Sequence, residues 1–338
     1  MKNIKKIGLS ALAGSLVAFS ANAVELSVSG KTEVTYSGTK DGNNGNKWGG
    51  GNEITFSGSG DVNGMTATYT AVIADGGQAN SNTSETFASS SLMLDMGDMG
   101  TVGFDQGVGE FGVSTIDDKM PYAYEEIWTY TGASNGLRAA GGTNVLGYKN
   151  TFMGVSLSAE LDPGHTNNST KGATGDGSNT GAGTTDKGYN WALTAAPIDG
   201  LNVGVGYGKE TSTSSSPTTD KDSVYSTGFA TYAMGPVTVG YQRSSGSGGS
   251  AGTSTNEVEI YGASFNVNEN FAISINQMDN EYAKVSATHV TEETTGLGAS
   301  YTMGAASVRI LNSETSNLGG DATAKDVEHT EISLMLAF

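Results

Sequence analysis

The feature that most limits what this chain can become is a period of two, repeated from residue 24 to the end. Val24, Leu26 and Val28 alternate with Glu25, Ser27 and Ser29. Ile54 and Phe56 alternate with Glu53, Thr55 and Ser57, and Met65, Ala67, Tyr69 and Ala71 with Thr66, Thr68 and Thr70. Runs of the same kind cover 155–161, 189–193, 201–207, 271–275 and 332–338. Such alternation places apolar side chains on one face and small polar ones on the other, the pattern of strands with one wet face. No 3.6-residue helical period appears after Val24.

The breaks between runs alternate as well. Short turns fall at 61–64, 96–100, 151–154, 197–200, 233–236, 266–270 and 302–304. Long polar stretches lie at 37–52, 75–85, 106–142, 162–187, 210–222, 244–254, 279–292 and 313–327. Seven turns and eight loops make fifteen connections and therefore sixteen strands. The expected fold is all-β: a 16-stranded antiparallel transmembrane β-barrel with short periplasmic turns and long extracellular loops. An even strand number puts both termini at the short-turn end, so the first strand can pair with the last and leave no open edge. Only 36% of residues are hydrophobic and 15% are charged, while glycine alone supplies 50 residues. A soluble β-sandwich of this length needs more core material, and a β-helix needs a fixed repeat that this sequence lacks. Tyr69, Tyr148, Tyr189, Trp191, Tyr207, Tyr241 and Tyr301 sit on apolar faces near strand ends, where barrels carry aromatic girdles.

The first residues read as an address. Lys2, Lys5 and Lys6 precede an apolar stretch at 7–19, and Ala21-Asn22-Ala23 supplies the small-x-small cleavage pattern. Residues 1–23 are expected to be a cleaved secretory signal peptide and 24–338 a single barrel domain. The formal charge of −18 becomes more negative once the three leader lysines are removed. That balance excludes nucleic acid as a partner, since phosphate binding needs clustered Lys and Arg. With no cysteine there is no disulfide, thiolate metal site or cysteine nucleophile.

The leader, the sixteen strands, the dominant loop after the fifth strand and the ending Ile332-Ser333-Leu334-Met335-Leu336-Ala337-Phe338 together resemble the general porins of Gram-negative bacteria. The sharpest local match is Gly109-Glu110-Phe111-Gly112, similar to the Pro-Glu-Phe-Gly-Gly element of the porin constriction loop. Gly109 stands for the Pro and Val113 for the second Gly. The resemblance implies an integral outer-membrane protein, surrounded by membrane lipid and lipopolysaccharide, that assembles as a homotrimer of barrels. It implies a water-filled channel for passive diffusion of ions and small hydrophilic solutes. It also makes the C-terminal aromatic, Phe338 here, the signal read by the outer-membrane assembly machinery.

The 106–142 loop is then the constriction loop, since so long an insert needs somewhere to pack. Asp117, Asp118, Glu125 and Glu126 are its candidate acidic eyelet, with local solvation of a loop tip as the alternative. Lys31, Lys149 and Arg309 have lumen-facing parity and are the candidate basic wall; the alternative is local pairing with a carboxylate such as Glu33. Well-studied porins carry a denser arginine cluster than Arg138, Arg243 and Arg309. The acidic balance favours cation selectivity. Arg243 follows Tyr241 on the outer face and is not assigned to the pore.

Other chemistry is not supported. Gly107-Val108-Gly109-Glu110-Phe111-Gly112 satisfies G-x-G-x-x-G, but no helix or βαβ unit follows it. The stretch from Asp41 lacks the sixth-position Gly and twelfth-position acid of a calcium loop. His165, His289 and His329 have no metal-binding spacing, and no cofactor is expected. An enzyme would need a nucleophile, base and orienter that the sequence does not assemble. A surface adhesin is compatible with the long loops. Tyr122, Tyr124, Trp128 and Tyr130 leave open a sugar-specific channel, against packing of the loop on the wall.

Overall fold

Short turns close one end of the molecule, five of the seven having two residues. Asn63 and Gly64 both take positive φ (54° and 82°), as do Met153 and Gly154 (50° and 81°). A turn with two positive φ values matches the twist of antiparallel strands, and Asn-Gly adopts it readily. The computed structural model describes residues 25–40, 46–74, 86–117, 119–130, 143–163, 187–211, 222–247, 255–283 and 290–338. The leader and Asp118 lie outside the described residues.

The first strands are β1 (Glu25–Lys40), β2 (Trp48–Val62), β3 (Met65–Ala74) and β4 (Thr86–Asp95). β5 (Thr101–Gln106) and β6 (Thr143–Phe152) flank the longest connection. β7 (Val155–Asp162), β8 (Lys187–Ile198), β9 (Leu201–Thr211), β10 (Ser223–Met234) and β11 (Val237–Ser247) follow. The chain ends with β12 (Thr255–Asn266), β13 (Phe271–Ala283), β14 (Thr291–Met303), β15 (Ala306–Ser316) and β16 (Val327–Ala337). Each strand pairs antiparallel with its neighbours, and β1 pairs with β16, so the sheet is a closed barrel of sixteen. At the seam the register runs from Lys31 opposite Ala337 to Lys40 opposite Glu328. Gly30 and Phe338 exchange two backbone hydrogen bonds of 2.8 and 2.9 Å. The Phe338 ring lies over Gly30, where any Cβ would come within 2.6 Å of it.

The seven short turns fall where the sequence predicts them. The loop boundaries need correction, because the strands run further: β1 continues to Lys40, β13 to Ala283 and β15 to Ser316. At the long-loop end the wall needs no apolar residues, so polar strand there reads as loop.

Leu26, Val28, Ile54, Phe56, Leu297 and Leu334 stand exposed on the outer face. That is the inverse of a soluble core and suits a surface solvated by acyl chains. The buried apolar residues lie inside the barrel. Val113, Ile116, Met120, Ile127 and Trp128 of the long loop pack on Ala192, Tyr225, Phe229, Val258, Ile260, Met278 and Leu311 of the wall. On β12 this reverses the sign of the alternation. Val258 and Ile260 point inward and are fully buried, while Glu257 and Glu259 face outward and pair with Arg243 at 2.7 and 3.5 Å.

Candidate functional site: the lumen and its constriction loop

The loop is rooted by one carboxylate. Asp105, the last inward residue of β5, is 1% exposed. Its oxygens accept hydrogen bonds from three successive amides, Val108 (2.7 Å), Gly109 (2.9 Å) and Glu110 (2.6 Å). Wrapping the chain around it needs left-handed backbone, and Gly107, Gly109 and Gly112 take φ of 90°, 88° and 66°. The glycine spacing that mimics a nucleotide motif therefore builds this turn.

Phe111 follows, fully buried in a seat formed by two glycines. A Cβ on Gly103 would lie 2.7 Å from its ring, and one on Gly147 would overlap the ring outright. Gly112 N donates to Ser158 Oγ and Val113 N to Asn190 Oδ1, both at 2.8 Å. A short 3-10 turn, Gly112–Ile116, sets Val113 and Ile116 against Gly206. Met120 and Pro121 lie over Gly240, and Pro121 also over Gly262. Ala123 N donates to Ser274 Oγ at 2.9 Å, and Ile127 rests on Gly296. The inward glycines of the wall thus form the track in which the loop lies.

At its far end the loop reaches the seam of the barrel. Tyr124 Oη donates to Glu331 Oε1 (2.6 Å) on β16 and lies 3.1 Å from Glu33 Oε1 on β1. The Arg309 guanidinium sits 4.4 Å from the Tyr124 ring centre and pairs with Glu33 at 2.5 Å. Ser333 Oγ donates to the same Glu33 oxygen. Tyr130 stacks on His329 with ring centres 4.2 Å apart.

Lys31, Lys149 and Arg309 all project inward, and each meets a carboxylate. Lys31 pairs with Glu53 (3.3 Å), Lys149 with Glu110 of the loop (2.9 Å) and Arg309 with Glu33. Asp117 is half-buried just beyond the 3-10 turn, and its carbonyl accepts from Lys119 N at 3.2 Å. The Glu126 carbonyl accepts from Thr129 N at 3.1 Å. Glu125 is half-buried near the seam. Burial, and after it the negative charge of Glu331, pushes its carboxyl up to about 7. Acidic loop and basic wall therefore meet at Glu110–Lys149, whereas near Tyr124 the carboxylate that Arg309 meets is Glu33 of the wall itself. Sequence reasoning left out Asp105, Glu110 and Glu331 as site residues. The inward parity of Asp105 and Glu331 was readable; the path of the loop across them was not.

Between the loop and the short-turn end lies a cavity of about 960 Å³, lined by Asp95, Glu110, Lys119, Lys149 and Asn202 among others. Among the described residues, carboxylates on the inner wall and loop outnumber the cations Lys31, Lys119, Lys149 and Arg309. The four Tyr and Trp residues of the loop pack on the wall or stack against it. Trp128 is buried and edge-on to Tyr122 at 5.9 Å, and both lie in or against the apolar cluster.

The fold is shared with solved barrels. OmpF of Salmonella typhi, solved in complex with daunomycin, superposes with a TM-score of 0.71 at 13% identity, covering 93% of this chain and 98% of that one. OmpT of Vibrio cholerae in its trimer form gives 0.66 at 11% identity, with 94% and 100% covered. An anion-selective porin from Comamonas acidovorans gives 0.66 at 13% identity, with 93% and 100% covered. No curated protein matches the sequence. A family model described as Gram-negative porin matches residues 8–336. With a closed sixteen-stranded barrel and a long loop seated inside it, the chain belongs to the Gram-negative porins.

Proposed function

We propose that this porin is a cation-preferring, passive diffusion channel for ions and small hydrophilic solutes, without catalytic activity. The observation that carries the reading is the excess of carboxylates on the inner wall and loop, since fixed charge in a confined lumen enriches the opposite ion. In this reading Asp117, Asp118, Glu125 and Glu126 set the acidic side of the constriction. Lys31, Lys149 and Arg309 are basic groups whose fields are largely answered by Glu53, Glu110 and Glu33. Residues 1–23 are a leader removed on export, Phe338 is the assembly signal, and three barrels associate in a membrane of phospholipid and lipopolysaccharide. The trimer form of the Vibrio cholerae protein supports the last point by analogy.

Planar-bilayer recording of the mature protein across a tenfold KCl gradient tests the selectivity. The reversal potential should favour cations, and Asp117→Asn should lower the cation-to-anion permeability ratio, by roughly twofold for one lumen charge. An anion-favouring potential would overturn the cation preference.

Glu125 makes the selectivity depend on pH. With its folded-state carboxyl near 7, it is neutral at pH 5.5 and charged at pH 8.5. Cation preference should therefore rise as pH rises through about 7, and Glu125→Gln should remove that step. Stability carries the opposite sign. The folded chain holds this proton more tightly than the unfolded chain, so the contribution is full below 4.5 and is lost as pH rises through about 7.

A further inference from the structure

At the long-loop rim, where β13 meets β14, a small polar knot plays no part in the channel described above. Asn280 and Glu292 stand opposite each other in register on the inner face, and each is 1% exposed. Tyr282 links them. Asn280 Nδ2 donates to its phenol at 2.8 Å, and the phenol donates to Glu292 Oε2 at 3.2 Å. The same carboxylate oxygen accepts Gly319 N at 2.5 Å and so fastens the turn Leu318–Gly320 to the rim. Gly320 lies on the Tyr282 ring, where a Cβ would come within 2.9 Å of it. Two acceptors remain. Glu292 Oε1 and Asn280 Oδ1 are buried without a hydrogen-bond partner among the described residues. The neighbouring inward positions do not supply one: Val258 and Met278 are apolar, and the hydroxyls of Thr294 and Thr315 bond each other at 2.9 Å.

We propose that Glu292 Oε1 and Asn280 Oδ1 are ligands of a calcium ion that steadies the β15–β16 turn on the rim of the barrel. A buried charge is costly unless it is paired, and two facing oxygen acceptors, one of them a carboxylate, are matched by a hard cation. Calcium takes about six to eight oxygens in flexible geometry, with carboxylate, amide and backbone carbonyl oxygens and water all accepted. Magnesium demands a near-ideal octahedron and gives up its water reluctantly, so this pair of oxygens suits it less. A single carboxylate sets a low affinity, about 0.1–1 mM, the range of extracellular calcium modules. The other oxygen of that carboxylate holds Gly319, so the ion acts on the turn through Glu292.

The test uses the mature, refolded barrel stripped with EDTA, with terbium chloride and calcium chloride as probes. Terbium beside Tyr282 should luminesce on tyrosine excitation, and calcium should displace it. Glu292→Gln keeps an oxygen for Gly319 N and brings an N–H within reach of Asn280 Oδ1. It should therefore fold, yet lack that calcium-displaceable signal. Carboxylates elsewhere on the surface contribute equally to both proteins, so the difference reads this site. At calcium tenfold above the dissociation constant, the folded-to-unfolded ratio of the wild type should rise about elevenfold, and that of Glu292→Gln should not. Asn280→Asp adds a second carboxylate and should bind calcium about tenfold more tightly, since affinity follows ligand charge. Equal luminescence and equal calcium stabilisation in the wild type and Glu292→Gln would overturn the site. So would an Asn280→Asp barrel that binds calcium no better than the wild type.

Discussion

Gly147→Ala should destabilise the barrel and make its current flicker between full and reduced levels. The added methyl has nowhere to go, because the Phe111 ring already occupies that space with none of its surface exposed. Overpacking at such a site costs about 1–3 kcal/mol. The cheapest relief is for Phe111 to leave its seat and carry the start of the constriction loop toward the pore axis. Phe111→Ala alone leaves a cavity costing about 3–5 kcal/mol. The two changes occupy one volume and should not add: Phe111→Ala/Gly147→Ala should be no less stable than Phe111→Ala. Thermal loss of the compact gel form, measured with single-channel noise, reads both effects. Strict additivity in that cycle would mean that the glycine is not the seat of the ring.

Asp105→Ala should have the other large effect. Three amide donors converge on this buried carboxylate, and hydrogen bonds to a charged acceptor are the stronger kind. The donors are on partly exposed or exposed residues, so water replaces part of what is lost, but each hydrogen bond to a charged group is worth about 1.5–3 kcal/mol. The expected loss is therefore several times that of an average surface substitution. Asp105→Asn keeps one side-chain oxygen and should fall between the two. The Glu110–Lys149 ion pair depends on the same turn, so its release should alter the reversal potential as well as the noise. A quiet Asp105→Ala channel of wild-type stability would show that the loop holds without this root.

The turns were legible because their chemistry is local: Asn63-Gly64 needs nothing beyond two positive φ values to be read as a hairpin. The strand period was legible for the same reason. Its sign was not always so. On β12, Glu257 and Glu259 face outward and Val258 and Ile260 inward, because the loop supplies an apolar partner inside the barrel. No alternation can announce a partner that arrives from more than a hundred residues away. The glycines had the same ambiguity. Sequence alone ties them to tight packing and loops, whereas Gly103, Gly147, Gly206 and Gly296 mark where the loop lies. Parity puts Lys31, Lys149 and Arg309 on one face of their strands, and in the structure each lies beside a carboxylate. Of their partners the sequence offers Glu33, which meets Arg309, but not Glu53 or Glu110, since parity gives the face and not the neighbour across it. Asp118 lies outside the described residues.

The contacts of Tyr124 have a consequence for the order in which the molecule is made. Its phenol is shared between Glu33 on the first strand and Glu331 on the last, the two sides of the final joint. These carboxylates come together only when the cylinder is shut, and the tyrosine reaches them only from within. Closing the seam therefore completes the seat for the far end of the loop, because the phenol has both acceptors only once the first and last strands are joined.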